Sequence, residues 1–357
     1  MGKRLILAIN PGSTSTKIAL YEEDKLVFEN TLRHSVEELS PFTCITDQFQ
    51  FRKDLVLGEI ASHNIDTERI IAVIGRGGLL RPIESGMYIV NKTMKDDLFS
   101  AKYGQHASNL GALIADELAR SFKNATAYIV DPVVVDELQD IARISGHPLI
   151  ERKSIFHALN HKGVARSYAS EVDRDYEEMN LIIAHMGGGI SVGAHLKGRV
   201  VDVNNALDGD GPFSPERSGG LPAGQLAELC FNNNHTYKDI KEMLTGKGGL
   251  VAYLGTNNFL EAGTMAKNGD AKAMLVKNAI AYQVAKEIGA AAAVLSGKVD
   301  AIILTGGLAH DKEHVSLIKS MIGFISKVVI YPGEDEMKSL AFNGLLALDG
   351  EIDIKNY

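Results

Sequence analysis

Apolar runs and glycine-rich turns follow one another twice along this chain in the same order. Residues 5–10 (LILAIN) are an apolar run ending in Pro11-Gly12-Ser13-Thr14-Ser15, and residues 181–186 (LIIAHM) are another, ending in Gly187-Gly188-Gly189. A second apolar run follows each turn (Lys17–Tyr21; Ser191–Leu196), then a polar turn and a third run (Leu26–Asn30; Val200–Asn204). The pattern predicts two three-strand meanders about half the chain apart, hence an internal duplication. Two similar lobes result, each placing a glycine-rich turn at a cleft between them. Elsewhere, short apolar runs at Ile70–Ile74, Ala127–Val130 and Val299–Thr305 predict strands. Helical spacing predicts helices over 106–122, over 154–169 with His157 and His161 four apart, over 270–295, and near Met337–Leu348. Residues 34–69 read as mixed, and 208–222 as a Gly/Pro-rich loop. Strands alternating with helices predict a layered α/β protein.

At 357 residues the chain is long enough for two domains. The expected division is 1–150, with a final helix (338–357) returning to it, and 151–337. Hydrophobic residues at 45% and charged residues at 23% are ordinary for a globular protein. A net charge of −8 argues against nucleic acid as the main partner. No apolar run approaches the roughly 18 residues of a membrane span. The start MGKRLILAIN is too short in its apolar run for a signal peptide, and Ile6 breaks the myristoylation pattern after Met1-Gly2. Cys44 and Cys230 lie far apart without metal-ligand spacing and read as reduced thiols, so a cytoplasmic location is expected.

The turns carry the candidate chemistry. In Asn10-Pro11-Gly12-Ser13-Thr14-Ser15-Thr16-Lys17 a strand ends and the chain turns tightly, so backbone amides and hydroxyls can face an anion. Lys17 adds charge, and Asn10 an amide for a metal-bound water. The same segment also reads as a plain hairpin turn. Three successive glycines at 187–189 are costly in backbone entropy unless something approaches closely, and a flexible bulge is the alternative. The Leu304-Thr305-Gly306-Gly307-Leu308-Ala309 segment is a third strand-to-glycine element, suited to a nucleotide ring or sugar.

Together these elements resemble the superfamily of actin, the heat-shock ATPases and the sugar kinases, which bind ATP between two duplicated lobes. More closely the chain resembles the acetate kinase family, and within it the butyrate kinase branch. The segments that carry this run nearly end to end: NPGSTSTK at 10–17, Arg76 with its glycines, His106, Asp131-Pro132, SIFHALNH at 154–161, HMGGG at 185–189, PERSGGLP at 215–222, GGLVAYLGTN at 248–257, LTGGLAHD at 304–311 and YPGEDE at 331–336. The resemblance implies two ribonuclease-H-like lobes, each a central mixed sheet flanked by helices, with ATP in the cleft. It implies transfer of the γ-phosphoryl of ATP to a short-chain carboxylate, reversibly and in line: butyrate and ATP giving butanoyl phosphate and ADP, with Mg²⁺. By the same resemblance Arg76, Arg217, His157, His185 and Asp131 are catalytic, the arginines facing each other near the two histidines. His106, Gly78 and Phe156 would contact the acid. Ser13, Ser15, Lys17, Gly187, Gly188, Gly189, Asn258, Gly306 and Gly307 would hold the nucleotide, and Asn10 and Glu336 the metal. A homodimer or larger homo-oligomer is expected.

The chemistry suits such a set. A fatty-acid carboxylate is ionised at pH 7, so it needs no general base, only relief from repulsion by the γ-phosphate. Arginine forks match carboxylate and phosphoryl oxygens. The chain also departs from the family. Gly188 stands where acetate kinases carry Asn, and Asn257-Asn258 where relatives carry Asn-Asp. Gly77 and Gly78 replace valines after the first arginine, which is expected to open room for a longer tail. Two extra buried methylenes would favour butyrate over acetate by about 1.6 kcal/mol. The alternatives are kinases of isobutyrate, propionate or acetate, an exopolyphosphatase-like phosphohydrolase, and a non-catalytic ATP-binding scaffold.

Overall fold

The computed structural model describes residues 3–357; Met1 and Gly2, and with them the modification question, lie outside the described residues. The strands in chain order are β1 (Leu5–Pro11), β2 (Ser15–Glu22), β3 (Lys25–Arg33), β4 (Ile70–Arg76), β5 (Met87–Ile89), β6 (Thr126–Val130), β7 (Asn180–Met186), β8 (Ile190–Leu196), β9 (Arg199–Val203), β10 (Ala301–Gly306), β11 (Val328–Pro332) and β12 (Ile354–Asn356). They form two sheets, one in each of two compact units. The first unit comprises Met1–Val135 and Asp335–Tyr357, the second Asp136–Glu334. The first therefore ends earlier than position 150.

The first sheet has the order β12-β5-β6-β4-β1-β2-β3 and the second β11-β10-β7-β8-β9. In each, a meander of antiparallel pairs (β1-β2-β3; β7-β8-β9) is joined on its first strand by two parallel strands (β4 and β6; β10 and β11). The shared order is the duplication the apolar pattern predicts. β5 and β12 are additions at the edge of the first sheet only.

Both central strands are apolar along their whole length because both faces are covered. All seven residues of β1 are buried, and β7 is buried from Leu181 onward. In the first unit, helix Asn109–Ser121 covers β4 and β6, and helix Glu336–Leu348 packs on β1 and β4. The final segment differs from a helix running to the terminus: the helix stops at Leu348, and residues 354–356 pair in parallel with β5. In the second unit the long helix Ala271–Val294 lays Val276, Ile280, Val284 and Ile288 in the core with the sheet, and Ala273 of the predicted stripe is buried as well.

Three buried imidazoles of the second unit give the fold an acid limit. Burial pushes His314 down to about 4, and holds His161 and His195 well below the ordinary value. Between about pH 6.5 and 4 the unfolded chain binds a proton at the His314 position that the folded chain does not, and the lowered His161 and His195 act in the same direction. Stability therefore falls as pH falls through that window, by about 1.4 kcal/mol per pH unit for His314. Urea midpoints measured from pH 7 to pH 5 should fall steadily. The fall should be shallower in His314→Asn, and a flat profile would contradict the assignment.

Candidate functional site

In parallel sheets the carboxyl ends of neighbouring strands deliver side chains to one place. In the first unit β1 and β4 are in register with Ile9 beside Gly75, so Asn10 and Arg76 follow side by side. Arg76 Nη1 lies 3.3 Å from Asn10 Oδ1 and 3.0 Å from Glu336 Oε1. The Asn10 amide also donates to Glu336 Oε2. Asn10, Arg76 and Glu336 thus form one cluster. The three acidic residues at 334–336 divide their work: Asp335 caps the final helix by accepting from Lys338 N, and Glu334 bonds to His185 in the second unit.

Asn10 and Glu336 suit Mg²⁺ by their chemistry. An amide oxygen and a carboxylate are the hard donors this ion takes, one or two carboxylates at a time, with water and phosphate oxygens completing the shell. No cluster of three or more His, Cys, Asp or Glu with metal-binding geometry occurs among the described residues.

His106 lies near enough to Arg76 to be affected by its charge. Desolvation, and then the Arg76 charge, hold its imidazole below the ordinary value. Its Nδ1 accepts from Ser108 N at 3.2 Å, so the neutral ring carries its proton on Nε2. Asp131 is buried at the end of β6, with Oδ1 accepting from Ser85 Oγ at 2.6 Å and Gly86 N at 2.8 Å. Its φ of +38° is a conformation that non-glycine residues rarely hold, a form of strain found often at functional sites.

Gly78 corrects an expectation. A Cβ there would lie 2.5 Å from Asn109 Cα and 2.8 Å from Asn109 N, so this glycine lets the loop after β4 lie on the start of helix Asn109–Ser121. The room for an acyl tail does not lie in that direction. Gly78→Val should lower the melting temperature and reduce turnover of butyrate and acetate together, since overpacking against backbone costs about 1–3 kcal/mol or more. An unaltered melting temperature with selective loss of butyrate turnover would restore the acyl-pocket reading.

The first glycine turn rests on a residue that sequence patterning does not single out. Arg52, on helix Phe49–Ser62, is fully buried. Its Nη1 donates to Gly12 O at 2.7 Å and Ser15 O at 3.0 Å, and its Nη2 to Ser13 O at 2.9 Å. In a trans peptide C=O and N–H point opposite ways. Drawing these carbonyls inward therefore turns the amides of Ser13 and Thr14 outward, the arrangement of an anion-binding nest, while Thr16 is buried in the pairing of β2 with β3. Ser13 and Lys17 are exposed beside it, and Ser15 half-buried.

In the second unit His185, near the end of β7, is fully buried. Its Nε2 lies 3.0 Å from Glu334 Oε1, and its buried Nδ1 has no hydrogen-bond partner among the described residues. His157 stacks on it with ring centroids 4.2 Å apart. His157 is not within a helix, as its spacing to His161 predicts, but is the residue that caps helix Ala158–Glu171. Phe156 is buried, its ring edge-on to His161.

The glycines at 187–189 meet charged side chains. A Cβ at Gly189 would lie 1.9 Å from Arg217 Nη1, so the guanidinium occupies the space a side chain would take here. Arg217 Nη1 donates to Ala206 O at 2.6 Å, and burial lowers its pKa, with Glu216 opposing. A Cβ at Gly187 would meet Glu334 Oε1 at 2.5 Å. Beside this turn a cavity of about 290 Å³ is lined by Gly187, Gly188, Asn257, Asn258, Gly307 and Glu334, among others. Asn258 Oδ1 is committed to capping helix Phe259–Lys267 through Leu260 N and Glu261 N. Gly306, at φ +89°, presses on the Met186 backbone and so joins β10 to this turn.

The architecture is one shared with solved kinases. Porphyromonas gingivalis acetate kinase superposes with a TM-score of 0.76 at 18% identity, covering 97% of this chain and 100% of that one. A propionate kinase from Francisella tularensis gives 0.73 at 19%, covering 95% and 98%. At these identities the likeness speaks for the fold. Sequence similarity goes further. Residues 143–323 match the Acetokinase family. Butyrate kinase 2 of Clostridium acetobutylicum is 56% identical over 352 residues, 99% of each chain, and a probable butyrate kinase of Listeria monocytogenes is 55% identical over 335 residues, 94% of each. The chain belongs to the acetokinase family.

Proposed function

We propose that this protein is a short-chain fatty acid kinase that transfers the γ-phosphoryl group of ATP to butyrate, reversibly, giving butanoyl phosphate and ADP. The observation that carries this reading is the 56% identity to a butyrate kinase across essentially the whole of both chains. The chemistry of the residues supports it. The acid arrives ionised, so the protein's task is to position two anions and neutralise their repulsion. Arg76 and Arg217 supply rigid N–H forks for carboxylate and phosphoryl oxygens, and His157 a donor for the group in transfer, with His185, bonded to Glu334, stacked against its ring. Asn10 and Glu336 would hold Mg²⁺, which when bound neutralises phosphate charge. The amides of the first turn and the cavity beside Gly187 and Asn258 take the nucleotide. No helix among the described residues is long and apolar enough to cross a membrane.

The test is hydroxylamine trapping of acyl phosphate with ATP, Mg²⁺ and a panel of acids. Hydroxamate should form fastest with butyrate. A faster rate with acetate, propionate or isobutyrate reassigns the acid. Phosphate release without hydroxamate from any acid favours the phosphohydrolase reading.

The active form is a homo-oligomer built on a twofold dimer. Helix Ala223–Phe231 in the second unit buries none of its residues, and Phe231 is 84% exposed. Such an apolar face fits self-association. Light scattering at micromolar concentration should give a multiple of 38.6 kDa, and a monomer mass would contradict it.

A further inference from the structure

Behind His157 the second unit holds a string of polar side chains that the phosphoryl chemistry above does not use. Ser191 Oγ lies 2.8 Å from His157 Nδ1 and 2.9 Å from His161 Nε2. His161 Nδ1 lies 3.2 Å from His195 Nε2, and His195 Nδ1 lies 2.6 Å from the Tyr176 hydroxyl. Five side chains therefore connect in one unbroken line from Tyr176 to His157. Ser191, His161 and His195 are fully buried, and Tyr176 nearly so. The local fold builds the line deliberately. Ser191 and His195 lie on one face of β8, four residues apart, with Gly193 between them. A Cβ at Gly193 would crowd His161 Nδ1 at 3.2 Å, so the glycine lets that ring lie along the strand. Apolar side chains would fill the same space without desolvating so many polar groups.

The line has a direction. A neutral imidazole has one nitrogen that donates and one that accepts. An imidazole nitrogen is a stronger base than a phenol oxygen, so Tyr176 donates to His195 Nδ1. His195 must then carry its proton on Nε2 and donate to His161 Nδ1. His161 in turn donates from Nε2 to Ser191 Oγ, and the Ser191 hydroxyl proton goes to His157 Nδ1. The proton of His157 is left on Nε2. The reverse order would put a lone pair on His157 Nε2, which repels phosphoryl oxygens where an N–H attracts them.

We propose that Tyr176, His195, His161 and Ser191 are positioning residues that hold His157 as its Nε2–H tautomer, so that an N–H is presented to the transferring phosphoryl group. The catalytic consequence rests on the role of His157 proposed above; the tautomer itself does not.

Long-range ¹H–¹⁵N correlation spectra of the full-length, ¹⁵N-histidine-labelled protein read the tautomer directly. The wild-type spectrum should show His157 protonated on Nε2. Tyr176→Phe removes the donor that sets the direction. It should shift His157 toward Nδ1–H and lower kcat about 10-fold. KM for ATP and butyrate should stay within about twofold, because the donor matters most as charge develops. A merely structural tyrosine would lower the melting temperature and leave the tautomer and kcat alone. The proposal is overturned by Nδ1–H on His157 in the wild type, which needs no variant to fold, or by an unchanged tautomer and kcat in Tyr176→Phe. Normal turnover in His157→Ala overturns the phosphoryl role instead, a result separable from the spectra.

Discussion

Replacing Arg76 or Arg217 by alanine is expected to lower kcat and kcat/KM for butyrate by about 10²-fold or more each, with little change in melting temperature. Removing one preorganised donor aimed at developing charge commonly has this effect. Both side chains are already held in place. Arg76 is fixed by Asn10 and Glu336 at the ends of β1, β4 and the final helix, and Arg217 by Ala206 O over Gly189. Lysine should rescue either position poorly, since a single ammonium cannot reproduce the two-pronged fork. We propose that both arginines act on one transfer step, so the double alanine variant should lose less than the product of the single losses. Near-normal turnover in both single variants would remove the arginines from the mechanism.

Gly189→Ala is expected to resemble Arg217→Ala, with a loss of about 10²-fold in kcat. The added methyl would sit where Arg217 Nη1 now lies, and the guanidinium must move aside. The displaced atoms are the end of a flexible side chain, so folding should be nearly unaffected. Adding Gly189→Ala to Arg217→Ala should then cost little more, because the two changes remove the same group. A fully active Gly189→Ala, or losses that multiply in the double variant, would show that the position of Arg217 over this glycine is irrelevant to turnover.

The two meanders were legible in the sequence because their strands are buried on both faces and end in glycine turns, so apolar runs and turn signals coincide. β5, β11 and β12 were not. Each is three to five residues long, and the residues of β11 and β12 are half-buried or exposed, which leaves no apolar run to read. The site divides the same way. Asn10, Arg76, His185 and Arg217 stand beside turn glycines and draw notice from the sequence. Arg52 does not, because an arginine within a helix reads as a solvated charge, and only tertiary packing places it under the first turn. The spacing of His157 and His161 suggested one helical face, whereas His157 lies just outside the helix and meets His161 through Ser191. Gly78 read as missing side-chain volume, and the neighbouring Asn109 backbone that fills the volume is 31 residues along the chain.

The central claim is that a carboxylate accepts the γ-phosphoryl of ATP directly. Phosphorus NMR of the protein with ATP, Mg²⁺ and butyrate tests it. The account predicts a growing acyl-phosphate resonance matched by ADP, dependent on butyrate and reversed by adding ADP to isolated butanoyl phosphate. Inorganic phosphate appearing alone, at a rate indifferent to butyrate, would contradict it.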